Sequence, residues 1–522
     1  MSISSLIKID STRVKNCLSK NRFDRKLLHS IAVLKVSYSF FVTLFLFSSS
    51  VLSNEPPTYS LPAYLVTRAM EKLQMPDDTQ RLLVAGYTFG SAHFVMMRLH
   101  TNGTFDEQFG HHGRQHSPFK RRSPVYALLV ASIGESDQRI YAAGELDGQF
   151  MVTRHFLNGT FDTDFGNNGY FKTQPEDGCE SARAMILIPS NTNAPEDQRI
   201  AVAGKGKYDA LRILLLSPDG LAYVVSKGAV PQPSTWFYSK STISGLTLVE
   251  NEEGEKYIYA GALRGFISRC HLNGTFDGTF GNRFIKVDKS TGIKSLSINV
   301  IHAIKDEQGL SLVITGYVGK DTKAEKPGND IMVAKLYENT TAFRDFGSNG
   351  FFFHDYNNVW NFAEDIEVIE FEVGNKFYIL SQQWGDALLL RLLPSGELDG
   401  QFGENGQKPI DKLVAFSSIV LPPASDSSQI VLGGYTRYPI RGLGIVAVDE
   451  NGMIDYQFGI QPSSPSSSPS SSPSSSPSSS PSSSPSSSPS SSPTLTQNSG
   501  AEQSGSWQTL LIVTVFIFSI IL

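Results

Sequence analysis

Short apolar runs of strand-like character recur along the chain, and most of them end in glycine. They read Leu82-Leu83-Val84-Ala85-Gly86, Ile140-Tyr141-Ala142-Ala143-Gly144, Ile200-Ala201-Val202-Ala203-Gly204, Ile258-Tyr259-Ala260-Gly261, Leu312-Val313-Ile314-Thr315-Gly316 and Ile430-Val431-Leu432-Gly433-Gly434. A sixth copy in chain order, Phe377-Tyr378-Ile379-Leu380-Ser381, ends in serine and brings the total to seven. A second pattern follows each run: an alternating apolar strand, a tight turn, an Asp and then Phe-Gly. Its clearest copies are Asn102-Gly103-Thr104-Phe105-Asp106 with Phe109-Gly110, Asn158-Gly159-Thr160-Phe161-Asp162 with Phe165-Gly166, and Asn273-Gly274-Thr275-Phe276-Asp277 with Phe280-Gly281. Weaker copies run from Ser395-Gly396 to Phe402-Gly403 and from Asn451-Gly452 to Phe458-Gly459. The fifth repeat keeps Phe346-Gly347 without the Asp, and the third keeps only Asp219-Gly220.

Asn-Gly or Asp-Gly between two strand-like runs is a strong hairpin signal, because both central residues must take positive φ. A further apolar run precedes each glycine landmark, as in Tyr126-Ala127-Leu128-Leu129-Val130. Each unit therefore predicts four strands: A before the landmark, B ending at its glycine, C before the turn and D through Phe-Gly. No helix-period segment of useful length interrupts them. Units of this kind repeated seven times predict an all-β fold, a seven-bladed β-propeller of four-stranded antiparallel blades, over residues 54–459.

The string from the glycine landmark through Asn-Gly-Thr-Phe-Asp to Phe-Gly resembles the delta-60 repeat family. Its members are regarded as β-propellers and are frequent among bacterial surface and secreted proteins. The resemblance covers about Arg68 to Gly459. It implies a propeller and a surface setting, with irregular blades at the third and fifth repeats. It carries no catalytic residues over to this chain.

The ends of the 522-residue chain are of a different kind. Residues 1–30 are net basic, an apolar run follows from Val36 to Phe47, and small residues lead to Ser53. That order is a secretory signal peptide cut after Ser53, with an uncleaved signal anchor as the alternative for segment 1–53. Residues 460–497 are dominated by Ser-Ser-Ser-Pro, which builds no core and favours an extended stalk of about 3.1 Å per residue. Segment 498–522 has small residues at Ser499-Gly500-Ala501, a polar spacer and an apolar tail from Leu510 to Leu522. It reads as a GPI-attachment signal at Ser499 or, alternatively, a hydrophobic tail anchor. The expected location is the cell surface, outside the cytoplasm and membrane-anchored.

A net charge of −5 argues against nucleic acid as a partner. Cys17 lies in the leader; Cys179 and Cys270 fall in different repeats, with no zinc spacing and a mutual disulfide as an open option. No cofactor, metal or catalytic motif emerges. The repeated Asp106, Asp162, Asp277, Asp399 and Asp455 fit turn-capping carboxylates better than calcium ligands, since no second oxygen cluster repeats with them. His111 and His112 occupy a turn slot that is Asn167-Asn168 one repeat later, which argues against a metal role shared with His116. Lys120-Arg121-Arg122 fits a solvated link between blades, a protease-processing site being the alternative. Sequons at Asn102, Asn158, Asn273 and Asn339 all fall in the C–D turn and become N-glycosylation sites in a eukaryotic secretory pathway.

Alternating strands put the A–B and C–D connections at one end of a propeller, and the B–C loops and blade-to-blade D–A links at the other. The A–B loops are acidic, with Asp77, Asp78, Glu252, Glu253 and Glu255 among them. The opposite end collects basic residues, and the candidate ligand face comprises Lys205, Lys207, Arg264, Arg437 and Arg441. The expected role is a binding or adhesion module for an anionic glycan or a protein partner. The competing role, an extracellular glycan hydrolase or lyase, needs acids and bases converging on one channel mouth. The acids visible at the basic end are Asp147, Asp209, Asp330 and Asp386, the last three in one recurring slot that speaks for structure.

Overall fold

The computed structural model describes residues 65–459, apart from 134–136, 191–196, 208–210, 222, 229–242, 289–290, 307–308, 321–327, 357–358, 370–373, 384–385, 422–428 and 437–441. The leader, the Ser-Pro stalk and the terminal tail, with Ser53 and Ser499, lie outside the described residues. Among the described residues no helix is long and apolar enough to cross a membrane.

Seven antiparallel sheets follow one another along the chain, each with its strands in sequence order. Six contain four strands; the seventh shows three among the described residues, ending with Gly442–Asp449. The first strands of the sheets are Leu65–Gln74, Val125–Ile133, Cys179–Ile188, Ile243–Glu250, Ile293–Asp306, Asn361–Ile369 and Leu413–Leu421. Each touches the first strand of the blade before and of the blade after, and the seventh returns to the first. The A strands thus line a closed central channel. The fold is a seven-bladed β-propeller.

Its core is divided among the seams. Seven buried apolar clusters each join two neighbouring blades, from Ala69, Leu83, Phe94 and Phe109 against Val125, Ile140 and Met151 to Val431, Leu443 and Ile445 against Leu65, Met70 and Val84 at the ring closure. Middle strands are therefore apolar on both faces; all eight residues of Asn329–Leu336 are buried. Cys179 and Cys270 are buried at different seams and are not joined to each other.

The Asn-Gly and Phe-Gly motifs form the lock between blades. Gly159 turns with φ 87°, and a Cβ there would lie 2.7 Å from the Phe109 ring of the preceding blade. The Gly110 N–H donates to Asn158 O at 2.8 Å. The same contact recurs from Gly166 to Asp219, Gly347 to Ser395, Gly403 to Asn451 and, closing the ring, Gly459 to Asn102. Strand D does not run through Phe-Gly. It starts beyond that motif, at Arg114–His116, Tyr170–Lys172, Phe351–His354 and Gln407–Ile410, because the Phe is committed to the neighbouring blade and the Gly turns with positive φ. Gly459 consequently sits at the C–D end, against the first blade's hairpin.

Each repeated Asp anchors its blade. Asp162 Oδ2 accepts from Arg139 Nε at 2.8 Å and pairs with Arg154 Nε at 2.8 Å, and its Oδ1 accepts from the Asp164 N–H. Arg154 reaches on to Pro218 O of the next blade at 2.6 Å. Arg98–Asp106, Arg269–Asp277 and Arg391–Asp399 repeat the pair. The fifth blade, which lacks the Asp, places Lys335 on Asp306 of its A–B edge instead, at 2.7 Å. The third and fifth repeats both form complete four-stranded sheets.

Candidate functional site at the channel mouth

Every A strand carries a β-bulge beside the partner of its landmark residue. Beside that partner the register skips Arg68, Tyr126, Arg183, Ser244, Asn299, Glu364 and Phe416, one in each blade, and the third and fifth blades have a second skip at Glu180 and Lys294. The landmark glycines show how the bulge is accommodated. A Cβ at Gly86 would collide with Val66 O, and one at Gly144 with Pro124 O, so the absent side chain leaves room for the bulging backbone. Ser381 stands at this place in the sixth blade, opposite Ala363, and the bulge persists at Glu364.

All seven bulge residues line one cavity of about 530 Å³ in the channel. It lies toward the B–C/D–A end, because the bulges fall near the start of the A strands. Its volume falls within the range of small-molecule sites, about 300–1,000 Å³. The repeat supplies the position, and the blades fill it with seven side chains of different character. Around the ring they run Phe416, Arg68, Tyr126, Arg183, Ser244, Asn299 and Glu364.

Neighbours around this ring hold one another. The Arg68 guanidinium stacks 3.8 Å from the Phe416 ring centre and donates to Tyr87 Oη at 3.3 Å. Arg183 stacks 3.7 Å from the Tyr126 ring centre, and Tyr126 meets Tyr87 edge-on at 5.9 Å. Ser244 donates to Ile298 O, and Asn299 Nδ2 donates to Ala363 O at 2.7 Å; both acceptors directly precede the next blade's bulge. His302 and Asp365 complete the polar lining.

The electrostatics are divided across the channel. Burial pushes the Glu364 carboxyl up to about 7, against the pull of Arg68 and with a push from Asp365. Toward the A–B end, burial raises Glu367 to about 8, with Asp365 and Glu71 adding and Lys72 opposing, and Glu71 to about 7. These groups reach channel water, but protein walls on the other sides strip away bulk solvation. Desolvation also lowers His302, which faces the channel, and Arg183, which sits within the field of Arg68.

The loop residues singled out in the sequence are more dispersed. Lys205 pairs with Glu180, exposed Lys207 donates to Pro175 O at 3.1 Å, and Arg264 occupies a tight turn at φ 80°. Lys207 and Arg264 lie in the B–C connections of the third and fourth blades, but Lys205 lies within strand B, Arg199–Gly206, paired opposite Leu211, and not in a loop; Arg437 and Arg441 lie outside the described residues. At the opposite end all four sequon asparagines are exposed. Each Oδ1 accepts from the Thr two residues on, as Asn102 does from Thr104 Oγ1 at 2.7 Å. His112 turns with φ 52°, and among the described residues no group of His, Cys, Asp and Glu is arranged to hold a metal. Of the acids noted at the basic end, Asp147 pairs with Arg121 at 3.1 Å, Asp386 accepts the Lys412 N–H, Asp330 is buried, and Asp209 is outside the described residues. The ring was missed in the sequence because its members lie on A strands, which read as plain scaffold. Aligning those strands on their glycine partners would have brought the seven positions into one column.

A family described as a domain of unknown function (DUF5122) beta-propeller matches residues 81–109, which supports a propeller repeat. No curated protein matches the sequence. Among solved structures, the chain is similar to a protein from Lactobacillus plantarum at 10% identity and TM-score 0.40, covering 72% of this chain and 96% of that one. It is also similar to a chain of the COPII outer coat vertex on membranes, at 12% identity and TM-score 0.42, covering 74% and 84%. The Vanderwaltozyma polyspora Nup133 β-propeller domain aligns at 10% identity and TM-score 0.37, covering 74% and 98%.

Proposed function

We propose that this chain is a cell-surface binding module, held outside the membrane by its Ser-Pro stalk and C-terminal tail. Its working face is the B–C/D–A end, and its ligand is an anionic glycan. The observation that carries this reading is the ring of seven unlike bulge residues at that channel mouth. A fold that needs only symmetry would repeat one residue there, as it repeats the Asp and the Phe-Gly elsewhere. The opposite end is committed to inter-blade locks, and its exposed sequons would carry glycans if modified. Long basic loops around a mouth containing Arg68 and Arg183 suit an acidic chain.

A second reading, a glycan hydrolase or lyase, draws on the raised carboxyls of Glu364, Glu367 and Glu71 near His302. One experiment serves both. The full chain, purified in detergent, is passed over immobilised acidic polysaccharide at rising salt, and the eluted polysaccharide is sized. Retention that weakens with salt, and falls when Lys205, Lys207, Arg264, Arg437 and Arg441 are changed to Glu, supports the binding face. Undiminished retention in that variant, with its fold intact, removes the face from consideration. Shortened polysaccharide would favour the enzyme.

A further inference from the structure

Four arginines of the C strands, Arg98, Arg154, Arg269 and Arg391, each pair with the Asp of their own blade. Arg68 and Arg183 differ. Among the described residues neither makes an ion pair, and the buried Nε of each has no hydrogen-bond partner. Both are held by ring stacking, on Phe416 and on Tyr126, with Tyr87 and Tyr126 between them.

Stacking fixes a guanidinium by its face and leaves its in-plane N–H edge available, the edge that matches a planar carboxylate. Only one donor of Arg68 is used, toward Tyr87, and none of Arg183 is used among the described residues. The two cations lie close enough to oppose each other, so that Arg68 disfavours the charge on Arg183. Glu145 favours the charge on Arg183, and Glu364 feels the pull of Arg68, yet neither carboxylate forms an ion pair with these guanidiniums among the described residues, so a ligand carboxylate on their free edges would relieve the repulsion between them. Across the same cavity, Glu364, Asn299 and Ser244 present polar groups that suit hydroxyls.

We infer that the channel cavity is a subsite for a single carboxylated sugar residue of the glycan, its carboxylate held between Arg68 and Arg183 and its hydroxyls directed to Asn299, Ser244 and Glu364. This rests on the anionic-glycan reading of the face and gives it a specificity-determining pocket. The aromatic edges of Tyr126 and Phe416 wall the sugar ring. A sulfated sugar would miss the planar match to the guanidinium edges, and a neutral sugar would leave both cations uncompensated. The site needs no metal, and no covalent step is involved.

The test uses the full chain in detergent and three free probes: glucuronate, galacturonate and N-acetylneuraminate, with glucose and glucuronamide as uncharged counterparts. Binding is followed by saturation-transfer NMR and calorimetry. At least one acid is expected to bind roughly tenfold or more tightly than its uncharged counterpart, the margin typical of charge-assisted hydrogen bonds. Arg68→Gln and Arg183→Gln should each remove that margin while the thermal midpoint stays near the parent value. Arg183→Lys, which keeps the charge and loses the fork, should recover only part of it. If none of the three acids outbinds its uncharged counterpart, or both glutamine variants bind like the parent, the subsite is overturned. Retention of the parent on acidic polysaccharide under that outcome leaves the binding face standing. Loss of polysaccharide binding by the parent itself would instead remove the face.

Discussion

Replacing Asp162 by Asn should destabilise the propeller far more than the same change at Asp147. The Asp162 side chain is only 2% exposed and pairs with two guanidiniums at 2.8 Å, those of Arg139 and Arg154, themselves 13% and 9% exposed. Burial disfavours its charge, but the hydrogen bonds from Arg139 and Arg154 outweigh that and hold its pKa below the ordinary carboxylate range. An amide there leaves the nearly buried Arg154 without its anion and Arg139 with only the exposed Asp137, at a cost of about 3 kcal/mol or more. Asp147 pairs with Arg121, whose side chain is 75% exposed, so its loss should cost less than about 1 kcal/mol. Asparagine tolerates the local turns at both places, which isolates the charge. Urea and thermal unfolding of both variants give the comparison. The double variant Asp162→Asn/Arg154→Met should recover about 1–3 kcal/mol through the coupling of neighbouring groups. Equal effects at Asp162 and Asp147, or a double variant no better than the single, would refute the view that these pairs anchor the blades.

Stability should be highest on the acidic side of neutrality. Asp106, Asp162, Asp277 and Asp399 have depressed pKa values, so their contribution is present above the ordinary Asp pKa and is lost as pH falls through the folded values. Glu71, Glu364 and Glu367 are raised, so the folded state binds protons that the unfolded chain has released, and stability declines as pH rises from about 4.5 toward about 7–8; a pH series of melting midpoints reads both slopes, and a flat profile from pH 5 to 8 would contradict the second. Gly144→Ala should flatten the bulge at Tyr126 or unfold the second blade, a loss of about 1–3 kcal/mol seen in urea titration, whereas Gly278→Ala, which meets nothing within 4 Å, should be neutral. Cleavage within the Ser-Pro stalk should release the body from membranes in a fractionation assay, and phospholipase treatment of the uncut protein separates a GPI anchor from a tail anchor; a cut body that stays on the membrane would point to the run from Val36 to Phe47 as the tether.

Blade number and the repeating hairpin were legible because both patterns belong to single strands and turns. Asn-Gly signals positive φ, and the Asp three residues before Phe-Gly caps the turn that follows. What stayed hidden depends on contacts between strands. Phe109 was read into strand D because it is aromatic and follows a turn, yet it packs on Gly159 of the next blade, so strand D begins beyond it. The same shift places Gly459 at the C–D end, against Asn102. The bulge is a property of register, and one strand's sequence does not display it. Arg68 between Thr67 and Ala69 looks like an ordinary polar position until the pairing with Gly86 is known. The sequence therefore points to loops for the candidate ligand face, while the ring of bulge residues in the channel goes unnoticed in it.

The working end can be tested by blocking each end in turn. Cysteine introduced at Ser91, in a B–C loop, or at Gly278, in a C–D turn, accepts a bulky maleimide polymer, while Cys179 and Cys270 are buried and serve as poor targets. Retention on acidic polysaccharide is then measured for both conjugates beside the parent treated with the same reagent. The polymer at Ser91→Cys should abolish retention and the polymer at Gly278→Cys should leave it at the parent level. Loss of retention from the Gly278→Cys conjugate, with the Ser91→Cys conjugate unaffected, would place the working surface at the sequon-bearing end and contradict the channel-mouth site.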